Sequence, residues 1–369
     1  MKKLRAAVIG LGFIGVQHID ALRRVPSAEV AAVCTRNEEK LHSICEQYHI
    51  EKGCTDWHDI IADPDIDVIH NCTPHRLHDE INRAAILAGK HVYSEKPLSL
   101  TTAGAREMVL LAREHHVAAG LNHQYRMNAA VQEMKARLQK GLSGRTLMVT
   151  GCYLQESGSR PTDWTPKMDN TGIARVLNDI GIHWADTVCA VLGQPIVEVF
   201  ADTFIHYPVR TDEQGVQHPM NTEDSAMVLV RFADGTPGQL FTSKAANGHK
   251  NDLQVCIWGE EYSMEWAQEI PDRLTLGRKG TGFETVYMNP KTCQPETVPY
   301  ITAPMGHMMG WPDALRNAMN AYYQSISDGT FMNENQPYST FSDGFMGAAF
   351  VEACVRSAKE RRWIEVERL

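Results

Sequence analysis

The 369-residue chain lacks any apolar run of the roughly 18–20 residues that a membrane-spanning helix needs. Positive charge is in the minority, because 36 Lys and Arg stand against 45 Asp and Glu, and the net charge is −9. A nucleic-acid-binding surface is normally basic. We therefore expect neither a membrane nor a nucleic acid as a partner.

The nine cysteines are odd in number, scattered, and never spaced as Cys-x-x-Cys. This pattern disfavours a disulfide framework and a zinc site, and indicates free thiols. The apolar segment after the basic start of the chain is soon interrupted by Gly10, Gly12 and Gly15, whereas a signal peptide needs a longer apolar core. We therefore expect a cytoplasmic protein, and its length predicts two domains.

The first part of the chain alternates predicted strands and helices. Strands are predicted at Leu4–Gly10, Glu29–Cys34, Ile66–Cys72, Lys90–Tyr93 and Val117–Leu121, and the helices between them reach Leu22, Tyr48, Ala88 and His115. Such alternation is typical of a parallel sheet with helices on both faces. The sequence thus predicts a doubly wound Rossmann domain over residues 1–123.

A Gly-x-Gly-x-x-Gly motif stands between the first strand and the first helix. Gly10 permits a tight turn, Gly12 lets a pyrophosphate approach the backbone, and Gly15 lets helix and strand pack closely. The positive end of the helix would face the phosphates. We predict a dinucleotide site here, with a purely structural glycine loop as the alternative.

The second strand ends where an NAD site usually places an acid on the ribose 2′-hydroxyl. The sequence there is Thr35-Arg36-Asn37, with no carboxylate at the strand end. Because Thr and Arg can bind a 2′-phosphate, this favours NADP over NAD. The alternative leaves Arg36 in solvent and gives the ribose contact to Asn37 or Glu38.

The strand that begins at Lys90 leads directly into Glu95-Lys96-Pro97. Pro97 fixes its own φ and biases Lys96 toward extended backbone, so the strand stops there. Ligands of open parallel sheets bind at this end of the strands. A lysine in this place can reach a substrate hydroxyl, although an exposed lysine in an ordinary turn is the alternative.

After residue 123 the predicted strands follow one another with few helices between them. They are predicted at Thr146–Tyr153, Ile196–Thr203, Ser225–Phe232, Gly238–Ser243, Leu253–Trp258, Tyr262–Trp266 and Arg273–Gly277, with a helix before them at Ala129–Lys140. Sequential strands predict a mostly antiparallel open-faced sheet in an α+β domain over residues 124–369. We expect its uncovered face to form a homodimer or homotetramer.

One predicted helix in this domain, Asn178–Asp186, carries Asp179 and His183 four residues apart. This spacing places both side chains on one helical face, where they can form an acid–base pair. A structural contact between helices is one alternative. A metal site is another, although the sequence offers no convincing third ligand.

In combination, these motifs resemble the glucose–fructose oxidoreductase, inositol dehydrogenase and rhizopine-catabolism (Gfo/Idh/MocA) family. The likeness rests on the glycine motif, Gly89-Lys90-His91-Val92 before Glu95-Lys96-Pro97, Asp179-x-Gly181-x-His183, Thr73-Pro74 with His78, Tyr125-Arg126 and Thr340–Gly344. It covers essentially the whole chain. The departure is Thr35-Arg36, where many NAD-using members carry an acid.

The resemblance implies a pyridine-nucleotide cofactor and a sugar or cyclitol substrate. Cofactor contacts are expected from Gly10, Gly12, Phe13, Ile14, Gly15, Thr35, Arg36, Thr73, Pro74, His78, Glu95, Lys96 and Arg126. Substrate contacts are expected from Lys96, Tyr125, Arg160, Trp164, Asp179, His183 and His307. For Arg160, Trp164 and His307, a packing role is the alternative.

The expected reaction is reversible oxidation of a secondary alcohol, with no metal. His183 is predicted to accept the hydroxyl proton, because imidazole titrates near neutrality. Lys96 would stabilise the negative charge that develops on the same oxygen or share the base role, and Asp179 would orient the substrate or fix the His183 tautomer. A regulator without turnover and an NAD-dependent glycosidase are the rival functions.

Overall fold

The computed structural model of the chain describes residues 3–168 and 171–369. Its internal contacts divide the chain into two compact units. The first unit comprises Met1–Met127 and Pro312–Phe345, and the second comprises Asn128–Trp311 and Met346–Leu369. The sequence predicts a boundary after residue 123 and a second domain of residues 124–369, whose last helix can pack back toward the first domain.

The first unit is built on a six-stranded parallel sheet. Its strands are β1 (Leu4–Ile9), β2 (Ala28–Cys34), β3 (Lys52–Cys54), β4 (Val68–Asn71), β5 (His91–Ser94) and β6 (Ala119–Leu121). Their order is β3-β2-β1-β4-β5-β6, and each neighbouring pair is parallel. This order is typical of dinucleotide-binding folds, and it confirms the predicted doubly wound sheet. The order reverses between β1 and β4, where ligands of such sheets bind.

The helices of the chain follow clear sequence signals at several of their starts. They are α1 (Phe13–Leu22), α2 (Glu38–Tyr48), α3 (Trp57–Ala62), α4 (His78–Leu87), α5 (Thr102–Glu114), α6 (Ala129–Gln139), α7 (Ile182–Leu192), α8 (Trp311–Ser327) and α9 (Phe341–Glu360). The side chains of Asn37, Asp56 and Thr101 cap α2, α3 and α5, each accepting a hydrogen bond from a backbone N–H of the first turn.

The second unit contains a nine-stranded mixed sheet and a small hairpin. Its strands are β7 (Thr146–Leu154), β8 (Ile196–Phe204), β9 (Val209–Thr211), β10 (Gln217–Pro219), β11 (Ser225–Phe232), β12 (Pro237–Ser243), β13 (Asp252–Gly259), β14 (Tyr262–Ala267), β15 (Arg273–Arg278), β16 (Phe283–Tyr287) and β17 (Ile364–Glu365). The large sheet has the order β16-β15-β14-β13-β7-β12-β11-β8-β17, and β9 pairs with β10. Neighbouring strands are antiparallel except β7 and β12. The predicted, mostly antiparallel second sheet is thus confirmed.

The two faces of the large sheet differ in what covers them. On the inner face α7 lies so close to β7 that a Cβ added at Gly151 would stand 2.2 Å from the Trp184 indole nitrogen. On the outer face Met227 is 54% exposed, and Leu229 and Trp258 are each 44% exposed. The sheet therefore has one packed face and one open face with apolar side chains on it.

The segment Pro312–Phe345 completes the first unit from far along the chain. The Tyr322 hydroxyl donates to the Ala118 carbonyl at 3.1 Å, and the Leu121 amide donates to the Ser339 carbonyl at 2.8 Å. Gly120 also forms an antiparallel bridge with Thr340. The edge of the parallel sheet at β6 is thereby covered by residues from the C-terminal part of the sequence.

None of the helices in the described part of the chain is long and apolar enough to cross a membrane.

Candidate functional site

The glycine loop between β1 and α1 has the geometry that its motif predicts. Gly10 has φ +94°, and a Cβ there would stand 2.5 Å from the Cys72 carbonyl oxygen. A Cβ at Gly15 would stand 2.0 Å from the Gly10 carbonyl oxygen, whereas a Cβ at Gly12 would meet nothing within 4 Å. Gly10 and Gly15 are therefore required by packing. Gly12 instead keeps open space in front of the backbone.

The start of α1 adjoins this open space. Its N-cap residue is Gly12, which has no side chain to cap the helix. Phe13, the first helical residue, is 76% exposed, and Ile14 after it is half-buried. A ten-residue helix that begins at a glycine beside open space fits the pyrophosphate of a dinucleotide, because the first N–H groups of a helix and the helix dipole both attract anions.

The end of β2 presents Thr35, half-buried, and Arg36, exposed. Arg36 makes no hydrogen bond or ion pair with any residue that the structure describes. Asn37 is engaged differently, since its side-chain oxygen accepts a hydrogen bond from the Lys40 amide at 2.8 Å and caps α2. Asn37, one alternative for the contact with the cofactor ribose, thus already has a structural role as a helix cap.

The loops after β4 and β5 are tied together by one buried histidine. The His78 ring nitrogens lie 2.9 Å from the Thr73 carbonyl oxygen and 2.7 Å from the Pro97 carbonyl oxygen. Thr73 also donates its hydroxyl hydrogen to the Asn71 side chain at 2.7 Å, and Pro74 begins the turn that leads to α4. His78 is fully buried, so it acts here by fixing both loops at the edge of the sheet.

Lys96 follows β5 and is half-buried. Its backbone amide donates to the Glu95 carboxylate at 3.2 Å, and its peptide bond to Pro97 is cis. Glu95 is only 7% exposed and also accepts hydrogen bonds from His18 at 3.0 Å and Asn122 at 2.5 Å. The Glu95 carboxylate is therefore held in place by His18 and Asn122, and it fixes the backbone of Lys96 through the Lys96 amide.

The ionisation of Glu95 results from opposing effects. Burial raises the pKa of this carboxyl, but the hydrogen bonds from His18 and Asn122 and the charge of Lys96 together hold the pKa below its ordinary value. The group is therefore a carboxylate at neutral pH, and it places a negative charge beside the Lys96 ammonium. Such a buried charge is tolerated only because several donors and an opposite charge surround it.

Tyr125 and Arg126 lie in the short turn at 124–127, and both are buried. Arg126 donates to the Asp343 carboxylate at 2.9 Å. The same carboxylate accepts hydrogen bonds from the Thr340 amide and hydroxyl, both at 2.7 Å. Arg126 thus has a defined role inside the first unit, where it holds the start of α9.

In the second unit, Asp179 and His183 do not share one regular α-helix. Asp179 lies in a π-helical turn, Leu177–Gly181, and His183 is the second residue of α7. The predicted single helix at Asn178–Asp186 is therefore wrong in its first turn. Wide turns of this kind occur frequently at functional sites. The two residues are still four positions apart along continuous helical backbone, and their acid–base pairing stays a prediction.

Asp179 has a partner that the sequence analysis missed. Lys244, which follows β12, forms a salt bridge with the Asp179 carboxylate. The Asp179 side chain remains 33% exposed, whereas His183 is only 5% exposed and its ring centroid lies 6.1 Å from that of Tyr153. Tyr153 donates in turn to Asn251 at 2.6 Å. These groups form a polar cluster at one end of β7, β12 and β13.

The remaining predicted substrate residues lie in loops of the second unit. Arg160 and His307 are exposed, and the ring of Trp164 stacks on that of His218 with centroids 3.7 Å apart. The Arg160 carbonyl oxygen accepts a hydrogen bond from buried Arg210 at 2.6 Å. One face of Trp164 is therefore used in packing, while the side chains of Arg160 and His307 extend from the surface.

Sequence reasoning also missed two histidines near Glu95. His18 lies in α1 and His70 in β4, and both are fully buried. Their positions inside a predicted helix and strand suggested only packing, although a histidine on an otherwise apolar buried strand is a signal of a polar contact.

As for metals, the described residues contain no group of three or more His, Cys, Asp or Glu side chains arranged to hold an ion.

Comparison with protein-family models identifies both parts of the chain. Residues 4–123 match a model described as an oxidoreductase family with an NAD-binding Rossmann fold. Residues 131–265 match a model described as the GFO/IDH/MocA C-terminal domain. The first match coincides with the alternating strand and helix region, and the second covers most of the large mixed sheet.

Several individual proteins are similar over much or all of their length. A levoglucosan dehydrogenase from Pseudarthrobacter phenanthrenivorans is 28% identical, with full coverage of both chains. A 1,5-anhydro-D-fructose reductase from Ensifer adhaerens is 32% identical over 66% of this chain and 71% of that protein. The solved structure of a levoglucosan dehydrogenase in complex with NADH and L-sorbose superposes with a TM-score of 0.92 at 27% identity, again with full coverage of both chains.

These matches agree with the strand order, the glycine loop and the Glu95-Lys96-Pro97 turn. The family models together extend over the parallel sheet and most of the mixed sheet. The protein therefore belongs to the GFO/IDH/MocA family of oxidoreductases, whose N-terminal domain is an NAD-binding Rossmann fold.

Proposed function

We propose that the protein is an NAD(P)-dependent dehydrogenase that oxidises a secondary alcohol of a sugar, a sugar derivative or a cyclitol. The observation that carries this proposal is the edge of the parallel sheet where its strand order reverses. The glycine loop, the Thr73 turn and Lys96 follow adjacent strands there, in the order β1, β4, β5. The names of the relatives, a levoglucosan dehydrogenase and a 1,5-anhydro-D-fructose reductase, support cyclic sugars as the substrate class.

The residues present fit a dinucleotide. Gly12 and the first turn of α1 would hold the pyrophosphate, because the space in front of Gly12 is open and the N-cap residue is a glycine. Thr73 and Pro74 would line the nicotinamide half of the site from the end of β4. When bound, the nicotinamide supplies the hydride chemistry that no protein side chain can supply.

Lys96 is proposed to donate a hydrogen bond to the substrate oxygen and to stabilise the negative charge that develops there. An ammonium fixed in advance is effective because it needs no reorganisation during the reaction. Its backbone is fixed by Glu95 on one side, and His78 fixes the Pro97 carbonyl on the other. The stabilisation of the substrate oxygen would therefore depend on the fixed position of Lys96 as well as on its charge.

His183 is proposed to accept the hydroxyl proton, and Asp179 to orient the substrate through its partly exposed carboxylate. A buried imidazole with an adjacent polar cluster suits a general base. Lys244 would hold Asp179 in place through their salt bridge. Further substrate contacts are proposed for Tyr125, Arg160, Trp164 and His307.

We also propose that the protein prefers NADP. The end of β2 carries Thr35 and Arg36 and no carboxylate that would repel a 2′-phosphate. Arg36 is exposed and keeps its guanidinium available, while Asn37 caps α2. A guanidinium can bind phosphate through two parallel hydrogen bonds. The solved levoglucosan dehydrogenase is in complex with NADH, and the Kd of each cofactor for this protein tests the proposed preference.

The open face of the large sheet is proposed to pair with a second copy of the chain, giving a homodimer or homotetramer. Met227, Leu229 and Trp258 lie on that face, and exposed apolar patches of this kind commonly mark an interface. A shallow cavity of about 380 Å³ lies on the same face and is lined in part by Gln254 and Cys256. Light scattering on the wild type and on a Trp258→Glu variant tests this: a wild-type monomer would refute it.

The proposed activity is tested with a panel of cyclic sugars, anhydrosugars and cyclitols, each supplied with NAD⁺ and with NADP⁺. We expect an increase in reduced-nicotinamide absorbance with at least one polyol, and its loss in the Lys96→Ala variant. Release of free sugar from glycosides without net reduced cofactor would indicate the glycosidase instead. Cofactor binding without any turnover across the panel would indicate a regulator.

A further inference from the structure

A chain of four buried polar side chains runs beneath the Lys96 turn. Glu95 contacts His18 Nε2 at 3.0 Å, His18 Nδ1 lies 3.0 Å from His70 Nδ1, and His70 Nε2 lies 2.9 Å from the Tyr323 hydroxyl. His18, His70 and Tyr323 have no exposed surface. All four belong to the first unit, and they join α1, β4 and α8 to the end of β5.

The protons in this chain can be assigned from its two ends. Glu95 is a carboxylate and accepts hydrogen bonds only, so His18 Nε2 carries a proton and donates. At the other end, His70 is the one described residue that forms a hydrogen bond with the Tyr323 hydroxyl. Burial holds the pKa of Tyr323 well above its ordinary value, so the hydroxyl keeps its hydrogen. A buried O–H without an acceptor is costly, so Tyr323 donates to His70 Nε2.

The two histidines then have defined tautomers. Burial holds the pKa of His70 well below its ordinary value, so His70 is neutral and carries one ring hydrogen. Because its Nε2 accepts from Tyr323, that hydrogen is on Nδ1 and is donated to His18 Nδ1. The chain therefore runs in one direction, from Tyr323 through His70 and His18 to Glu95, and every group in it has a partner.

We propose that His18, ordered by His70 and Tyr323, is a positioning residue for Lys96 that acts through the Glu95 carboxylate. The contact that transmits the effect is the hydrogen bond from the Lys96 amide to Glu95 at 3.2 Å. His18 fixes the other oxygen of this carboxylate, and thereby the side-chain rotamer that places it under Lys96. This inference rests on the proposed dehydrogenase function of Lys96.

The protonation of Glu95 depends on the titratable groups that surround it. Burial, with the charge of Glu95, holds the pKa of Cys72 and of Tyr93 well above their ordinary values, so both are neutral. Lys96 and His18 remain as the titratable groups with favourable effects on the carboxylate. Because the pKa of Glu95 is depressed, its contribution is present at neutral pH and is lost as pH falls through that pKa.

Replacing His18 leaves Glu95 buried, which raises its pKa, and removes the hydrogen bond that lowers its pKa. The pKa of Glu95 should then rise, so the carboxylate is lost at higher pH than in the wild type. In the His18→Leu variant we expect kcat to fall by about 10–100-fold, the scale of a lost hydrogen bond to a charged group. The acid limb of the pH–rate profile should also move to higher pH.

The matched variant is His18→Gln. The amide nitrogen of the new side chain can donate to Glu95 and its oxygen can accept from His70, so kcat and the acid limb should return close to wild type. Thermal melting and cofactor binding of both variants control for folding. Equal loss in the Leu and Gln variants, or an effect on KM alone with an unmoved acid limb, would overturn the positioning role.

A measurement without turnover keeps the inference separate from the proposed function. In the full chain labelled with ¹⁵N-histidine, His18 should show its hydrogen on Nε2 and His70 on Nδ1, and the signals are assigned by their loss in His18→Gln and His70→Gln. Tyr323→Phe should remove the tautomer preference of His70. Hydrogen on His70 Nε2 in the wild type would refute the chain, whereas inactivity toward every polyol with these tautomers present would refute only the dehydrogenase function.

Discussion

Two carboxylates next to proposed catalytic residues differ sharply in their surroundings. Glu95, beside Lys96, is 7% exposed and is held by His18, Asn122 and a backbone amide. The Asp179 side chain, four residues before His183, is 33% exposed and is held by Lys244. A buried carboxylate must have all its partners in place, whereas a partly exposed ion pair is screened by water and adjusts at little cost. The first unit is thus rigid at Glu95, and the second unit is adaptable at Asp179.

The largest effect should come from the rigid side. Lys96→Ala is expected to lower kcat by about 10²–10⁴-fold, the usual scale for a positioned acid–base group. Cofactor affinity should change little, because the glycine loop is untouched. The measurement is steady-state kinetics on the substrate found in the panel, with Lys359→Ala, an exposed lysine of α9, as the control. Near-normal turnover would remove Lys96 from the catalytic machinery.

His183→Asn tests the adaptable side. We expect kcat to fall by about 10²-fold or more, and the pH–rate limb near neutrality to disappear, because a histidine base titrates in that range. The fold should survive, as judged by thermal melting, since Asn retains a polar side chain of smaller volume. His42→Asn, on the exposed part of α2, is the control. A variant that keeps the wild-type pH–rate profile would instead support a structural contact.

Arg36→Ala should weaken NADP binding by about 10–100-fold, because a hydrogen bond to a charged group contributes roughly 1.5–3 kcal/mol. NAD binding should stay almost the same, which provides an internal control. Thr35→Asp should shift the preference toward NAD by repelling the phosphate. The measurement is the Kd of both cofactors for the wild type and both variants. Tighter binding of NAD by the wild type, with no loss of NADP affinity in Arg36→Ala, would contradict this prediction.

Lys244→Met should have the smallest effect and would sharpen the contrast between the two carboxylates. A partly exposed ion pair contributes about 1 kcal/mol or less, so KM should rise by no more than about fivefold with kcat nearly unchanged. His18→Leu, which acts on the buried carboxylate, should instead lower kcat. If Lys244→Met lowered kcat as much as His18→Leu does, burial would not be what separates the two sites.

Much of this architecture can be predicted from local sequence signals. The glycine motif, the strand that stops before Glu95-Lys96-Pro97 and the alternation of strands with helices each depend on neighbouring residues. The parallel sheet and the Lys96 turn can therefore be predicted from them. The contacts of His18 with His70, and of Asp179 with Lys244, join residues 52 and 65 positions apart. No periodicity encodes such pairs, because tertiary packing brings them together.

The second unit shows a similar limit. The parallel pairing of β7 with β12 inside an otherwise antiparallel sheet depends on which strands become neighbours, and the sequence of either strand does not encode this. The π-helical turn at Leu177–Gly181 is another example. The buried Glu223 carboxylate accepts hydrogen bonds there from the amides of Arg175 and Leu177, and Glu223 is distant in sequence.

The return of Pro312–Phe345 to the first unit has a consequence for how the protein is made. During synthesis, residues 1–127 leave the ribosome long before Tyr322, Tyr323 and Ser339 exist. These three residues supply hydrogen-bond partners for Ala118, His70 and Leu121, respectively. Domains generally fold as units as the chain emerges. Here the nucleotide-binding half must wait until nearly the whole message has been translated, so a transcript cut short after residue 127 would yield an incomplete domain with an uncovered sheet edge.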